Sequence, residues 1–165
     1  MNRNEALAKL EREREWDFLV IGGGATGLGI CLDAATRGYK TLLVEQSDFA
    51  KGTSSRSTKL IHGGVRYLEQ GNITLVADAL KERGRLVKNA PEIVNPLRIV
   101  IPLYHWWQVP YFGTGLKIYD HLSGKFSLGR SKVMGKERTL KEIPALKAEN
   151  LSGGALFYDG QFDDS

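Results

Sequence analysis

Three glycines near the start of the chain have the spacing of a dinucleotide-binding turn. Gly22, Gly24 and Gly27 form a G-x-G-x-x-G pattern. In such a pattern the first glycine permits a tight turn, the second lets the backbone approach a pyrophosphate, and the third allows a helix to pack closely on a sheet. The amides that begin this helix have no partners of their own, so a pyrophosphate supplies the missing acceptors. The spacing by itself is weak evidence, because glycine clusters also form ordinary loops.

An acid follows at the distance that ribose binding requires. Glu45 lies about 20 residues beyond the glycines, where dinucleotide-binding units place a carboxylate that accepts hydrogen bonds from ribose hydroxyls. The alternative is a plain βαβ unit in which Glu45 is merely exposed. The combination of glycines, acid and surrounding elements favours dinucleotide binding.

The residues around the glycines predict the elements that position them. Residues 16–21 contain an apolar run that indicates a short buried strand. Residues 26–37 carry apolar side chains at helical spacing, and Gly38 is a typical C-terminal stop. Residues 41–44 form a second apolar run that ends at Glu45. The pattern therefore predicts a complete βαβ unit, with the glycines after the first strand and the acid after the second.

A second segment with chemically useful side chains follows Glu45. Residues 51–59 are rich in hydroxyls and cations, and residues 60–68 contain the pair Gly63-Gly64 followed by Arg66. Because the segment leaves the carboxyl end of a strand, where α/β sheets bind ligands, its hydroxyls and amides can reach a cofactor. The glycine pair permits close approach to a flat ring, and Arg66 offers a bidentate fork for a phosphate or carboxylate. A solvated linker is the alternative interpretation of residues 51–59.

The composition is typical of a globular protein and excludes several functional classes. Of the 165 residues, 42% are hydrophobic and 25% are charged, which excludes a disordered chain. No apolar run approaches the ~20 residues that span a bilayer, and the alternating charges of residues 1–15 exclude a secretory signal. Cys31 is the single cysteine, which excludes an internal disulfide and fits a reducing compartment. The net charge of +4 is too small to indicate nucleic-acid binding. We therefore expect a cytoplasmic protein without a nucleic-acid partner.

The remainder of the chain predicts further helices and strands. Residues 72–87 predict a helix with Asn72 as its N-cap. Residues 97–103 predict a strand near a sheet edge, because Pro102 has no amide to donate. Thr139 begins a Thr-x-x-Glu capping box and suggests the start of a short helix.

Basic and aromatic residues are frequent between residues 98 and 149. This region holds nine Lys or Arg residues against four acids, together with Trp106 and Trp107. Basic residues near exposed aromatic side chains can bind an anionic membrane surface. The alternative, which we favour from the sequence, is a solvated basic face with the tryptophans in the core.

Two stretches, residues 16–45 and residues 52–68, carry a resemblance to a known family. The second reads GTSSRSTKLIHGGVRYL, and the two together closely resemble the FAD-dependent, aerobic-type glycerol-3-phosphate dehydrogenases. The resemblance continues more loosely to the run YDGQFDD at residues 158–164. It therefore covers essentially the whole chain and corresponds to the N-terminal portion of a family member.

The resemblance implies an α/β fold, namely a Rossmann-like FAD-binding domain of the type in glutathione reductase and D-amino-acid oxidase. We expect a charged helix over residues 1–15 and the N-terminal part of the oxidoreductase domain over residues 16–165, with a helical and basic insertion at residues 98–149. Residues 155–158 indicate a strand that requires a continuation, and the family continues beyond Ser165. We therefore expect an incomplete domain in a truncated chain.

The resemblance also implies roles for individual residues. The pyrophosphate and adenosine ribose are assigned to the first turn and the acid after the second strand: Gly22, Gly24, Ala25, Thr26, Gly27, Glu45 and Gln46. The flavin side is assigned to the later segment: Thr53, Ser54, Ser55, Ser57, Lys59, Leu60, His62 and Gly63. Arg66 and Tyr67 are candidates for the substrate phosphate. His62 is the candidate catalytic residue, as a proton acceptor or a covalent flavin attachment point, with bracing of the loop as the alternative.

The activity implied by the resemblance is FAD-dependent oxidation of sn-glycerol 3-phosphate to dihydroxyacetone phosphate, with electrons passed to quinone. An anionic membrane surface is a further candidate partner, which would place the protein peripherally on the inner face of the cell membrane. The alternatives are a non-catalytic FAD-binding fragment and an oxidase that uses oxygen. An NAD-linked dehydrogenase is less consistent with the sequence, because it leaves residues 53–68 unexplained.

Overall fold

The structure is a computed structural model that describes residues 2–163. The chain divides into two compact units, the first ending at Thr58 and the second beginning at Lys59. The first unit is a βαβ unit preceded by a helix, and the second is an antiparallel sheet with helices. The division expected from the resemblance, with a boundary after residue 15, stays a prediction.

The first unit confirms the predicted βαβ unit, but its first strand is not buried as predicted, since Val20 is its one buried residue. Its elements are two helices and two strands: α1 (Arg3–Arg12), β1 (Phe18–Ile21), α2 (Ala25–Thr36) and β2 (Thr41–Val44). The strands are parallel and in register from the pair Phe18 and Thr41 to the pair Ile21 and Val44. The charged N-terminal helix is also confirmed, although it ends at Arg12 rather than at residue 15.

The core of this unit is small. Val20 and Ala34 are buried, whereas Ile21 is 81% exposed and Leu32 is 67% exposed. Because apolar burial is the main source of folding free energy, this unit gains less from packing than a unit with a continuous core.

The second unit contains nine elements among the described residues. In chain order they are β3 (Leu60–Ile61), α3 (Val65–Glu69), α4 (Ile73–Asn89), β4 (Val94–Leu103), α5 (Gln108–Ser123), a 3-10 turn (Gly124–Phe126), β5 (Lys132–Gly135), α6 (Lys136–Glu142) and β6 (Gly153–Phe162). β6 is the central strand of the sheet. It pairs antiparallel with β4 along one side, and with β3 and β5 at opposite ends of the other side.

The core of the second unit lies between this sheet and helices α4 and α5. Alternate residues of β6 face opposite sides of the sheet. Ala155 and Phe157 belong to the buried cluster on the helix side, whereas Gly154 faces Thr139 of α6. The remaining buried members come from the helices and β4: Val76, Leu80, Leu103, Leu116 and Tyr119.

Several local predictions for this unit are confirmed. Asn72 caps α4, and its side chain accepts a hydrogen bond from the Leu75 amide at 3.4 Å. The strand that contains Pro102 is an edge strand, since β4 pairs with β6 on one side of the sheet only among residues 2–163. Both signals are local, which explains why the sequence alone was sufficient.

Two other expectations need correction. The short helix predicted from the capping box is present, but it begins at Lys136 and not at Thr139, which is buried inside it and whose hydroxyl donates to the Gly135 carbonyl. The tryptophans are not in the core, since Trp106 is 80% exposed and Trp107 is 50% exposed. In both cases the sequence pattern did not show which residues of the segment the rest of the fold would bury.

Candidate functional site

The glycine turn of the first unit has the geometry of a tight strand-to-helix connection. Gly22 has a φ of 102°, a value that favours glycine over residues with a side chain. Its amide donates to the Val44 carbonyl at 2.8 Å, which extends the pairing of β1 and β2 into the turn. A Cβ on Gly27 would overlap the Gly22 carbonyl. The third glycine is therefore required for α2 to approach the end of β1.

The N-terminus of α2 points its first amide at an oxygen. The N-cap is Gly24, which has no side chain to cap the helix, and the Ala25 amide donates to Ser54 Oγ at 3.2 Å. A Cβ on Gly24 would lie 3.7 Å from the same hydroxyl, which is an ordinary contact distance. The amides and dipole of a helix start favour anionic oxygen acceptors. An oxygen acceptor thus lies beside the turn where the sequence pattern predicts a pyrophosphate.

Glu45 is held in place by backbone amides. Its Oε2 accepts from the Gly23 amide at 2.7 Å, and its Oε1 accepts from the Ser47 amide at 2.9 Å. These two hydrogen bonds hold the pKa of the Glu45 carboxyl below its usual value. An ionised carboxylate has about four lone-pair sites, so Glu45 retains capacity to accept hydrogen bonds from ribose hydroxyls.

The loop after β2 packs on the same turn, through a residue that the sequence analysis missed. The Gly23 carbonyl accepts from the Ala50 amide at 2.8 Å, and a Cβ on Gly23 would meet the Phe49 ring at 2.5 Å. Gly23 is the middle glycine of the run at positions 22–24. Its place in that run was the one sequence signal for a structural role of this residue. A side chain at Gly23 would therefore have to displace the Phe49 ring.

The remaining candidates of the first unit lie in the loop that contains Ser54. Thr53, Ser55 and Ser57 are exposed, as is Gln46 beside Glu45. The Ser55 amide donates to the Ala50 carbonyl at 3.0 Å, and Ser57 Oγ donates to the Ser54 carbonyl at 3.3 Å. The structure thus brings Ser54 to the helix start, although the sequence analysis assigned it to the flavin side.

The second unit holds the remaining candidates on the turn between β3 and α3. Lys59 precedes β3 and Leu60 begins it. His62 is exposed, and Gly63 and Gly64 are buried. Gly64 has a φ of 72° and precedes α3, which carries Arg66 and Tyr67 on its exposed surface. A Cβ on Gly63 would overlap Leu80 and the Tyr119 hydroxyl. Glycine at this position therefore lets the turn pack against α4 and α5.

Behind this turn lies a buried polar network that the sequence analysis missed. Arg83 and Asp159 are 1% and 2% exposed, and Arg83 Nη1 donates to Asp159 Oδ1 at 2.7 Å. The Tyr119 hydroxyl donates to the same oxygen at 2.6 Å, and the Gly63 amide donates to it at 3.0 Å. Burial and the Asp159 charge raise the pKa of Tyr119, so its hydroxyl remains a donor. Arg83 lies on the same buried face of α4 as Val76 and Leu80. A charged residue at helical spacing from apolar residues was therefore the available sequence signal.

Comparison with known proteins identifies the family. A sequence model described as FAD-dependent oxidoreductase matches residues 17–165. The chain belongs to the FAD-dependent oxidoreductase family. It is 50% identical to the mitochondrial glycerol-3-phosphate dehydrogenase of Rattus norvegicus over 99% of this chain and 24% of the relative. It is 46% identical to the enzyme of that name from Saccharomyces cerevisiae over 100% of this chain and 26% of the relative.

A solved structure supports the same family fold. The glycerol-3-phosphate dehydrogenase from Bacillus halodurans, complexed with FAD, matches with a TM-score of 0.66 and 36% identity, covering 98% of this chain and 24% of that chain. The expected resemblance and the expected class of FAD-binding α/β fold are both confirmed. The chain spans about a quarter of the length of the curated relatives it matches.

Two further findings concern the described part of this FAD-dependent oxidoreductase chain. Between residues 2 and 163, no group of three or more His, Cys, Asp or Glu side chains is arranged to hold a metal ion. Within the same range, no helix combines the length and apolar character needed to cross a bilayer.

Proposed function

We propose that this chain binds FAD and takes part in the oxidation of sn-glycerol 3-phosphate to dihydroxyacetone phosphate. The observation that carries the proposal is the turn in which Gly27 packs on the Gly22 carbonyl, Glu45 is oriented by backbone amides, and α2 directs its first amide at an oxygen acceptor. The identity of 50% to a glycerol-3-phosphate dehydrogenase supports the substrate.

The residues of the first turn fit an FAD pyrophosphate and ribose. Gly24 leaves no side chain between the backbone and a bound pyrophosphate, while Gly22 and Gly27 allow the tight turn that brings α2 to this position. The amides of Ala25 and Thr26 begin α2. The Ser54 hydroxyl, 3.2 Å from the Ala25 amide, adds a donor for a phosphate oxygen. Glu45 accepts hydrogen bonds from the adenosine ribose, next to Gln46. Thr53, Ser55 and Ser57 contribute hydroxyls from the same loop.

The second turn supplies residues for the flavin and the substrate, as the family resemblance implies. Lys59, Leu60 and Gly63 line the flavin side, and Arg66 pairs with the substrate phosphate beside Tyr67. His62, exposed at the end of β3, accepts the proton of the C2 hydroxyl. When bound, FAD supplies the acceptor for the hydride that leaves C2.

The cofactor proposal is tested by titrating the purified chain with FAD and following flavin fluorescence. We expect saturable binding, and we expect Glu45→Ala to raise the Kd for FAD about tenfold, because it removes hydrogen bonds to a charged acceptor. Asp33→Ala is the matched control, since it removes an exposed carboxylate from the same unit, at an ion pair with Arg37 away from the turn. Absence of FAD binding by the unaltered chain would contradict the proposal.

The proposed substrate is tested in the same sample of chain and FAD, kept free of oxygen, by following the flavin absorbance. Addition of sn-glycerol 3-phosphate is expected to bleach the flavin absorbance. A bound flavin that stays oxidised would assign the chain a non-catalytic FAD-binding role. Faster reoxidation of the reduced flavin by oxygen than by quinone, when the two are supplied separately, would assign an oxidase.

We also propose that quinone accepts the electrons and that an anionic membrane surface is a partner, at the cytoplasmic face of the membrane. The supporting observation is an aromatic surface formed by Trp106, Trp107 and Tyr111, all of which are exposed. Tryptophan and tyrosine favour membrane interfaces, and the basic residues between 98 and 149 favour anionic lipid.

The membrane proposal predicts flotation of the chain with anionic liposomes at low salt and loss of flotation at high salt. Trp106→Ala is expected to reduce flotation at least about threefold, because it removes an exposed aromatic anchor. Trp16→Ala, which changes a half-buried tryptophan of the first unit, is the matched control. Equal recovery of the unaltered chain in solution at both salt concentrations would contradict the proposal.

A further inference from the structure

One oxygen atom of Asp159 collects three hydrogen bonds inside the second unit. Oδ1 accepts from Arg83 Nη1 at 2.7 Å, from the Tyr119 hydroxyl at 2.6 Å and from the Gly63 amide at 3.0 Å. Arg83 is further held by the Tyr158 carbonyl, to which Nη1 donates at 2.7 Å. The carboxylate is therefore fixed by two side chains, and the backbone group that it holds belongs to the turn before α3.

The position of Asp159 in the sheet explains why a side chain, rather than a backbone carbonyl, accepts the hydrogen bond from the Gly63 amide. Where β3 pairs with β6, Leu60 lies opposite Gln161 and Ile61 lies opposite Gly160. Asp159 is the next residue along β6, and its backbone pairs with Leu97 of β4 on the other side. The chain turns away from the sheet after Ile61, so a side chain is needed to hold the buried Gly63 amide.

We propose that Asp159 is a positioning residue, held by Arg83 and Tyr119, that fixes the Gly63–Gly64 turn and thereby the placement of His62 and Arg66. The inference rests on the proposed function, because those two residues act on the flavin and the substrate in it. Gly64 has a left-handed φ of 72°, and the Tyr67 amide donates to its carbonyl at 2.8 Å. Movement of Gly63 would thus change the start of α3, on which Arg66 lies.

Stability alone does not explain the network. Taking an arginine and an aspartate out of water is costly, and well-packed apolar residues of similar volume are often as stable as a buried ion pair. Arg83 Nε is buried without a hydrogen-bond partner among the described residues, which adds to that cost. Burial raises the pKa of Tyr119, so its hydroxyl stays a donor to the carboxylate. The network is thus a costly means of presenting one oxygen to Gly63.

The test compares two double variants that differ only in the acceptor at position 159. R83Q/D159N removes both charges and keeps a side-chain carbonyl oxygen, whereas R83Q/D159L removes both charges and the acceptor at similar volume. For the whole chain we would measure amide hydrogen exchange at Gly63, the Kd for FAD, and unfolding by urea. Hydrogen exchange at Gly63 reports on the turn without any ligand.

We expect Gly63 exchange to be about tenfold faster and FAD binding about tenfold weaker in R83Q/D159L than in R83Q/D159N, because leucine leaves the Gly63 amide and the Tyr119 hydroxyl without their acceptor. If Asp159 only stabilised the fold, the changes in Gly63 exchange and in FAD affinity would follow the change in the free energy of unfolding. The inference would be overturned if the two variants were equally stable and also had equal Gly63 exchange and equal FAD affinity. If R83Q/D159L does not fold, R83Q/D159A provides the same comparison.

Failure of the proposed function has a different signature. If the proposed function is wrong, the unaltered chain does not bind FAD. That result would also overturn the role of the Gly63–Gly64 turn in cofactor binding. A difference in Gly63 exchange between the two variants would then still assign the hydrogen bond to Asp159. Binding of FAD by the unaltered chain, together with no difference between the variants, would overturn the positioning role alone.

Discussion

Arg83→Met is expected to destabilise the second unit by about 3–5 kcal/mol, because it leaves the Asp159 carboxylate buried without its cation. Methionine retains most of the volume of the side chain, so the loss reports on charge more than on a cavity. Urea unfolding followed by circular dichroism measures the change as a lower transition midpoint.

The matched control lies two residues further along α4. Arg85 pairs with Glu82, and both side chains are more than half exposed. Arg85→Met is expected to change the free energy of unfolding by less than about 1 kcal/mol, since exposed ion pairs are screened by water. Equal losses for the two variants would show that the Arg83–Asp159 pair has no special role in stability.

Gly27→Ala is expected to have the largest effect in the first unit. The new Cβ would overlap the Gly22 carbonyl, which is backbone and cannot rotate away. The start of α2 must therefore shift away from the end of β1, at a cost of about 1–3 kcal/mol. Because the same shift displaces the amides proposed to hold the pyrophosphate, FAD binding is expected to weaken at least about tenfold. Fluorescence titration with FAD and urea unfolding measure the two effects.

Gly29→Ala is the control for this prediction, since it makes the same change within α2. A Cβ on Gly29 meets no atom within 4 Å, and alanine is preferred over glycine inside a helix by about 1 kcal/mol. This variant should be as stable as the unaltered chain or more stable, with an unchanged Kd for FAD. Equal weakening of FAD binding by both variants would contradict a specific role for the close contact at Gly27.

Local features of this protein were predictable from the sequence. The βαβ unit followed from short apolar runs around the glycines, and β2 was predicted at residues 41–44, where it lies. Asn72 caps its own helix, and Pro102 excludes a central strand, so each acts within a few residues. The resemblance over residues 52–68 extended this prediction to the family, because a long run of side chains is more specific than glycine spacing.

The candidate sites depend on contacts that the sequence did not predict. Ser54 reaches the Ala25 amide across 29 positions, and Asp159 reaches the Gly63 amide across 96 positions. Thr139 has the spacing of a capping box, yet it is buried inside α6. The sequence by itself determined the βαβ unit, its glycine turn and the cap of α4, since propensity and glycine conformation act locally. Only the tertiary structure decided which distant oxygen satisfies each buried amide, because that choice depends on how the sheet and helices pack.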